Sequence, residues 1–167
     1  MSDLYTEVIV KRKPSAKDMI LKSLLIAGTA LAVFAFMVMG IIGFVIFIAL
    51  AVADYFLLPT FNLEFEYLYV NGELDIDKIM SKQKRKRVYS ADVSNLELLA
   101  PSNSHALDSY NRNNSIKTLD FSSRNPQNKT YTMIIKGEKG LERVIFEPND
   151  VMLSDIKRVR PREVNLY

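Results

Sequence analysis

The chain has 167 residues, 22 of them basic and 19 acidic, for a net charge of +3, and it has no cysteine. That charge is too balanced for a dedicated nucleic-acid binder, and the lack of cysteine excludes a disulfide framework, a thiolate nucleophile and cysteine-ligated zinc. The composition is also uneven: no charged residue lies between Ser23 and Ala53, whereas the segment after Pro59 is rich in both signs.

Residues 1–14 form a basic N-terminal segment. Within it "LYTEVIVKRK" is rich in β-branched residues, and residues 4–11 are expected to add a strand to a sheet edge; the alternative is a basic tail. Pro14-Ser15 then opens a helix, with Ser15 as N-cap and Asp18 in the first turn. As one helix, the 31 uncharged residues would be about 46 Å long, against a hydrocarbon core of about 30 Å. Residues 15–60 therefore read as a two-helix transmembrane hairpin, spanning about 19–39 and 42–58. The reversal falls between Gly40 and Gly43, where side-chain constraints are absent. Two pairs of small residues four apart, Gly28/Ala32 and Ala49/Ala53, suit close helix packing.

Charge argues the same way. Lys11, Arg12, Lys13, Lys17 and Lys22 precede the run, and Lys82, Lys84, Arg85, Lys86 and Arg87 follow it. Basic flanks favour the cytoplasm, and only an even number of spans keeps both flanks there. The expectation is a multi-pass cell-membrane protein with both termini cytoplasmic. A single span, and cleavage after Ala51-Val52-Ala53, are the rival readings. A signal h-region has only about 7 to 15 residues, much shorter than this run.

From residue 61 to 167 the pattern changes to alternation and turn signals. "LEFEYLYV" (63–70), Asn71-Gly72 and "ELDIDKIM" (73–80) form a β-hairpin. Further strands are expected at 84–91, 95–100, 115–122, 130–136 and 141–147, the last two joined by Gly137-Glu138-Lys139-Gly140. In "PNDVMLSDIKRVRP", Met152, Leu153, Ile156 and Val159 form a helical stripe, with Asn149 as cap and Pro161 as stop. The fold class is α+β: a transmembrane hairpin, then seven antiparallel strands and a C-terminal helix.

Seven antiparallel strands closed by one helix resemble the pleckstrin-homology (PH) fold. A membrane hairpin leading into "FEYLYVNGELDIDKI" looks like the bacterial membrane proteins that carry PH-like domains. More narrowly, "LYTEVIVKRK", "NGELDIDKIMSKQKRKR" and "LELLAPSNSH…LDSY" are similar to an uncharacterised family of small Gram-positive bacterial membrane proteins. The resemblance implies a PH-like β-sandwich or barrel and a membrane location, and it assigns no residue a role. PH domains that read phosphoinositides usually use a long basic loop between their first two strands. Here that connection is Asn71-Gly72, so that headgroup pocket is not expected.

Two features are candidate sites. The run Lys82, Lys84, Arg85, Lys86 and Arg87 can meet anionic lipid headgroups, each basic residue near such a surface being worth about 1 kcal/mol. Its other readings are a solvated strand face that discourages edge pairing and nucleic-acid binding, which the absence of interleaved aromatics disfavours. The loop "PSNSHALDSYNRNN" carries His105, Asp108 and Tyr110 as a candidate partner-binding loop. Ser104, His105 and Asp108 are adjacent in sequence, but a catalytic triad is assembled in space from separated elements, and one histidine with one aspartate makes a poor metal site. No catalytic residue, cofactor or metal is expected. The sequence points to a non-enzymatic, membrane-anchored interaction or scaffold module at the inner leaflet, with a protein partner. The alternative is an accessory subunit that contacts a larger membrane complex through its hairpin.

Overall fold

The computed structural model describes residues 5–82, 84–137 and 140–166. In chain order its main elements are β1 (Tyr5–Lys11), α1 (Ala16–Met39), α2 (Ile41–Leu57), β2 (Leu63–Val70), β3 (Glu73–Met80), β4 (Lys84–Asp92) and β5 (Leu96–Pro101). The four-residue α3 (Asp108–Asn111), β6 (Lys117–Asp120), β7 (Tyr131–Gly137), β8 (Gly140–Phe146) and α4 (Asp150–Val159) follow. The chain divides into two compact units. One is formed by Lys13–Leu63 and Met80–Lys84, the other by the remaining described residues.

The first unit is a helical hairpin whose helices are each long and apolar enough to cross a membrane. Ser15 and Asp18 cap α1 reciprocally: the Ser15 hydroxyl accepts from the Asp18 amide and the Asp18 carboxylate from the Ser15 amide. The reversal is made by Gly40 alone, at φ 59° and ψ −127°, a conformation that a side chain would strain. Gly43 has a different job. It lies inside α2, and a Cβ there would sit 2.5 Å from Phe36 Cα, so the two backbones touch at this point. Ala32 is buried as well, but nothing lies within 4 Å of a Cβ placed on Gly28, so Gly28 is not a contact point. Lower in the hairpin, the Thr29 hydroxyl donates to Asp54 Oδ2 at 2.6 Å and ties α1 to α2.

The second unit holds two four-stranded sheets, with strand orders β1-β2-β3-β4 and β5-β7-β8-β6. Asn71 and Gly72 both adopt positive φ (49° and 100°), as a two-residue hairpin turn requires, so β2 and β3 run antiparallel. Phe65, Tyr67, Tyr69, Leu74 and Ile76 of the first sheet face Leu99, Met133, Ile135, Val144 and Phe146 of the second. The Tyr67 and Phe146 rings meet edge-on at 5.7 Å. Helix α4, capped by Asn149, closes this core with Met152, Leu153 and Ile156, all buried. After α4 the chain lies along β5, where the Leu99 amide donates to Glu163 O and the Asn165 amide to Leu99 O.

The expected N-terminal strand is present: β1 joins β2 in an antiparallel ladder from Tyr5↔Val70 to Lys11↔Glu64, and with it the described residues hold eight strands where the fold class counted seven. Its alternation fits the role: Thr6 is buried, Val8 and Val10 pack against the core, and Tyr5, Glu7, Ile9 and Lys11 are exposed. Leu4 of the expected strand lies outside the described residues. The strands are also not all antiparallel, since β6 pairs parallel to β8, from Lys117↔Glu142 to Asp120↔Ile145. The segment 102–116, anchored by buried Leu107, carries the chain past β7 to the far side of β8. Alternation within a strand reports its buried face but not which strand lies beside it.

Gly43 and Gly28 should therefore respond with opposite sign. Gly43→Ala should destabilise the full-length protein in detergent, because helix backbone cannot yield to the added methyl. Gly28→Ala should stabilise it by about 0.5–1 kcal/mol, the usual helix gain over glycine. Thermal unfolding of both variants checks this, and equal tolerance at the two sites would contradict the close approach at Gly43.

Candidate functional site

The basic run splits into parts that do different work. Ser81 and Lys82 both have positive φ (48° and 59°) and form a turn after β3. This turn is fastened to the end of the hairpin: the Ser81 amide donates to Asn62 O at 2.9 Å, and its hydroxyl to Pro59 O at 3.2 Å. Lys84 Nζ sits 5.9 Å from the centre of the Phe56 ring on α2, at cation–π range. Gln83, between these lysines, lies outside the described residues.

Arg85 and Arg87 instead pair with acids of their own sheet. Arg85 bonds Glu66 on β2 at 2.7 Å, and Arg87 bonds Asp75 at 2.7 Å and Asp77 at 3.1 Å on β3. Glu66 is wholly buried, while the Arg85 side chain is 56 % exposed. The sequence sets Glu66 opposite the core face and so suggests solvent. In the fold, β1 lies against one flank of β2, with Ile9 opposite Glu66, and Arg85 closes over the carboxyl. Burial raises the carboxyl pKa of Glu66 above the usual range, against the opposing pull of Arg85. Glu7 moves the other way, lowered first by the Tyr5 hydroxyl that donates to it at 2.7 Å and then by Glu66. The two neighbouring carboxyls are thus pushed in opposite directions, Glu66 up and Glu7 down. Arg87 is held above its ordinary value, chiefly by its bond to Asp77. Lys86 is exposed.

The loop after β5 is more ordered than its composition suggests. His105 lies 3.3 Å from Asp108 on the surface, and the Tyr110 hydroxyl donates to Glu97 at 3.3 Å. The Tyr110 carbonyl accepts from Arg143 at 2.6 Å, while Leu107 plugs a small second core with Ala100 and Ile134. Ser104 caps the short 3₁₀ turn, its hydroxyl accepting from the Ala106 amide. His105, Asp108 and Tyr110 are brought onto one turn, but they do not converge on a common point.

Sequence reasoning missed a cleft of about 700 Å³ beside β4. It is lined by Tyr89–Asp92 of the strand and by Lys117, Lys136 and Glu142 across from it. Burial and the nearby Glu142 carboxylate push the Tyr89 hydroxyl pKa well above normal. Strand β4 ends its sheet, so its outer edge meets this cleft. Among the described residues no group of three or more His, Asp or Glu side chains could hold a metal ion.

The Glu66 site carries a pH signature. A buried carboxyl with a raised pKa binds more protons folded than unfolded, so its contribution to stability declines as pH rises from the ordinary glutamate value through the folded one. Glu66→Gln mimics the protonated form. Relative to this variant, the wild-type domain should lose stability as pH rises across that window, measured by urea unfolding at several pH values. A gap that widens in favour of wild type with rising pH would mean that the ionised Glu66–Arg85 pair is the stabilising form.

Comparison with curated proteins gives no match. A family model described as "Bacterial PH-like domain (DUF6106)" matches residues 2–166, nearly the whole chain. The matched residues take in the apolar helical hairpin, both sheets and α4, and the chain belongs to the bacterial PH-like domain family DUF6106.

Proposed function

We propose that this protein is a membrane-anchored PH-like interaction module, non-enzymatic, set at the inner leaflet with both termini cytoplasmic. The β1–β2 ladder carries this reading. β1 precedes the apolar hairpin and β2 follows it, yet they pair through seven residues, which supports a hairpin whose two ends leave the bilayer on the same side. The lysines favour the cytoplasmic side. Lys13, Lys17, Lys22, Lys82 and Lys84 all belong to the hairpin unit, and the reversal at Gly40 has no charge near it. On the domain, the β4 cleft and the turn with His105, Asp108 and Tyr110 are the surfaces offered to a protein partner. An extended segment added along the β4 edge suits the cleft.

A second reading, an accessory subunit that docks through its hairpin, is favoured by one observation. Asp54 Oδ1 is buried and takes no hydrogen bond, although Oδ2 is held by Thr29. A carboxyl inside a membrane segment is costly and calls for a donor, which another transmembrane helix would supply.

Topology and docking are separately testable. A reporter that matures only in the cytoplasm should be active when fused before Ser2 and also when fused after Asn165; activity at one end alone would exclude the hairpin topology. If docking runs through Asp54, Asp54→Ala should release the membrane partner on detergent extraction. A complex that survives this substitution would exclude the second reading.

A further inference from the structure

We infer that the base of the hairpin is a binding site for an anionic phospholipid, with Lys22 holding the phosphate and one face of α1 receiving the acyl chain. The inference rests on the membrane reading above and adds a ligand and a place to it. Three observations within the hairpin unit converge on it.

Two grooves adjoin on α1. The first, about 220 Å³, is lined by Pro14, Asp18, Met19, Lys22, Phe61 and Asn62, together with Ser23. Its polar groups are a lysine, an aspartate, a serine and an amide, gathered where the apolar run begins. The second, about 430 Å³, is lined by Met19, Ile20, Ser23, Leu24 and Ala27. Met19 and Ser23 line both, so a polar recess continues into an apolar track directed toward the reversal at Gly40. A ligand that fills the two must carry a polar head and a hydrocarbon tail. From Asp18 to Ala27 the helix rises about 14 Å, roughly half of the hydrocarbon core.

Charge defines the head. Counted by unit, the hairpin unit holds five lysines against Asp18 and Asp54, so the whole net charge of +3 resides there and the rest of the chain sums to zero. The Asp18 carboxylate is occupied by the Ser15 amide in the helix cap. The groove therefore presents Lys22 as its cation. Lys22 is half-buried where the apolar run begins, and a lysine so placed can lay its stem along apolar surface and reach a phosphate at headgroup depth.

The turn after β3 brings two more cations to the same place. Ser81 is fastened to Asn62, which itself lines the polar groove, and Lys84 lies over Phe56 at the end of α2. Lys82 and Lys84 are thus held at the base of the hairpin, whereas Arg85 and Arg87 are taken by Glu66, Asp75 and Asp77. The basic run supplies the lipid site with its first two lysines and the sheet with its arginines.

The test uses the full-length protein reconstituted in phosphatidylcholine bilayers with trace spin-labelled phosphatidylglycerol or phosphatidylcholine. Wild type should immobilise the phosphatidylglycerol label in preference to the phosphatidylcholine label. Lys22→Gln should cut that preference about fivefold, the weight of one basic residue at an anionic surface, while Lys22→Arg should keep it. An excess of inorganic phosphate at constant ionic strength should leave the preference unchanged, since it cannot occupy the apolar track. Equal immobilisation of the two labels by wild type would overturn the inference, as would a preference that Lys22→Gln leaves intact or that inorganic phosphate abolishes. Resistance to alkaline carbonate extraction, measured on the same samples, tests membrane integration separately. Extraction of the protein would sink the membrane reading itself, whereas retention without lipid preference would sink only the site.

Discussion

The pairing of β1 with β2 is the constraint on which the rest of the structure depends. Fifty-one residues separate Lys11 from Leu63, nearly all of them in or beside the apolar helices, yet the two strands lie in register over seven positions. Loop-closure cost grows only slowly with length, and a segment folded back on itself brings its own ends together and reduces that cost further. Gly40 turns it and Gly43 lets the two legs touch. Hairpin and sheet thus impose the same geometry from opposite ends, one by apolar helix packing and the other by backbone hydrogen bonds.

The added strand also changes the electrostatics of its sheet. Without β1, Glu66 would sit on the outer face of an edge strand, exposed to water. With β1 in place it is buried, its pKa rises and Arg85 is drawn over it. Strand β4 sets Arg85 and Arg87 against these acids and Lys84, at its start, over Phe56 of α2. One short run of like charges therefore serves two environments, and neither half can be read from the run alone.

Much of the architecture was legible because its signals are local. Asn71-Gly72 needs positive φ at both positions, Ser15 and Asn149 cap their helices, and the stripe Met152, Leu153 and Ile156 repeats with helical period. What the sequence hid depends on neighbours distant in the chain. Gly43 looked like part of a turn because closeness of two backbones leaves no trace in composition, and the parallel placement of β6 beside β8 has no pattern of its own. Glu66 alternates like a solvent residue, so its burial becomes visible only once β1 and Arg85 are placed. The site residues suffered most, since the arginines of the run were read without the acids that hold them.

The order in which the chain is made gives the β1–β2 ladder a further consequence. Val70 follows Tyr5 by 65 positions, so at ribosomal rates of about 5–20 residues per second β1 waits roughly 3–13 s for its partner. During that wait it is a short β-branched segment with no sheet to join. The hairpin must fold back before the ladder can zip, so the N-terminal strand works as a latch that closes behind a folded hairpin. A chain whose hairpin fails to fold back would display an unpaired β2 edge and an orphan β1, the kind of exposed strand that quality-control proteases and chaperones engage.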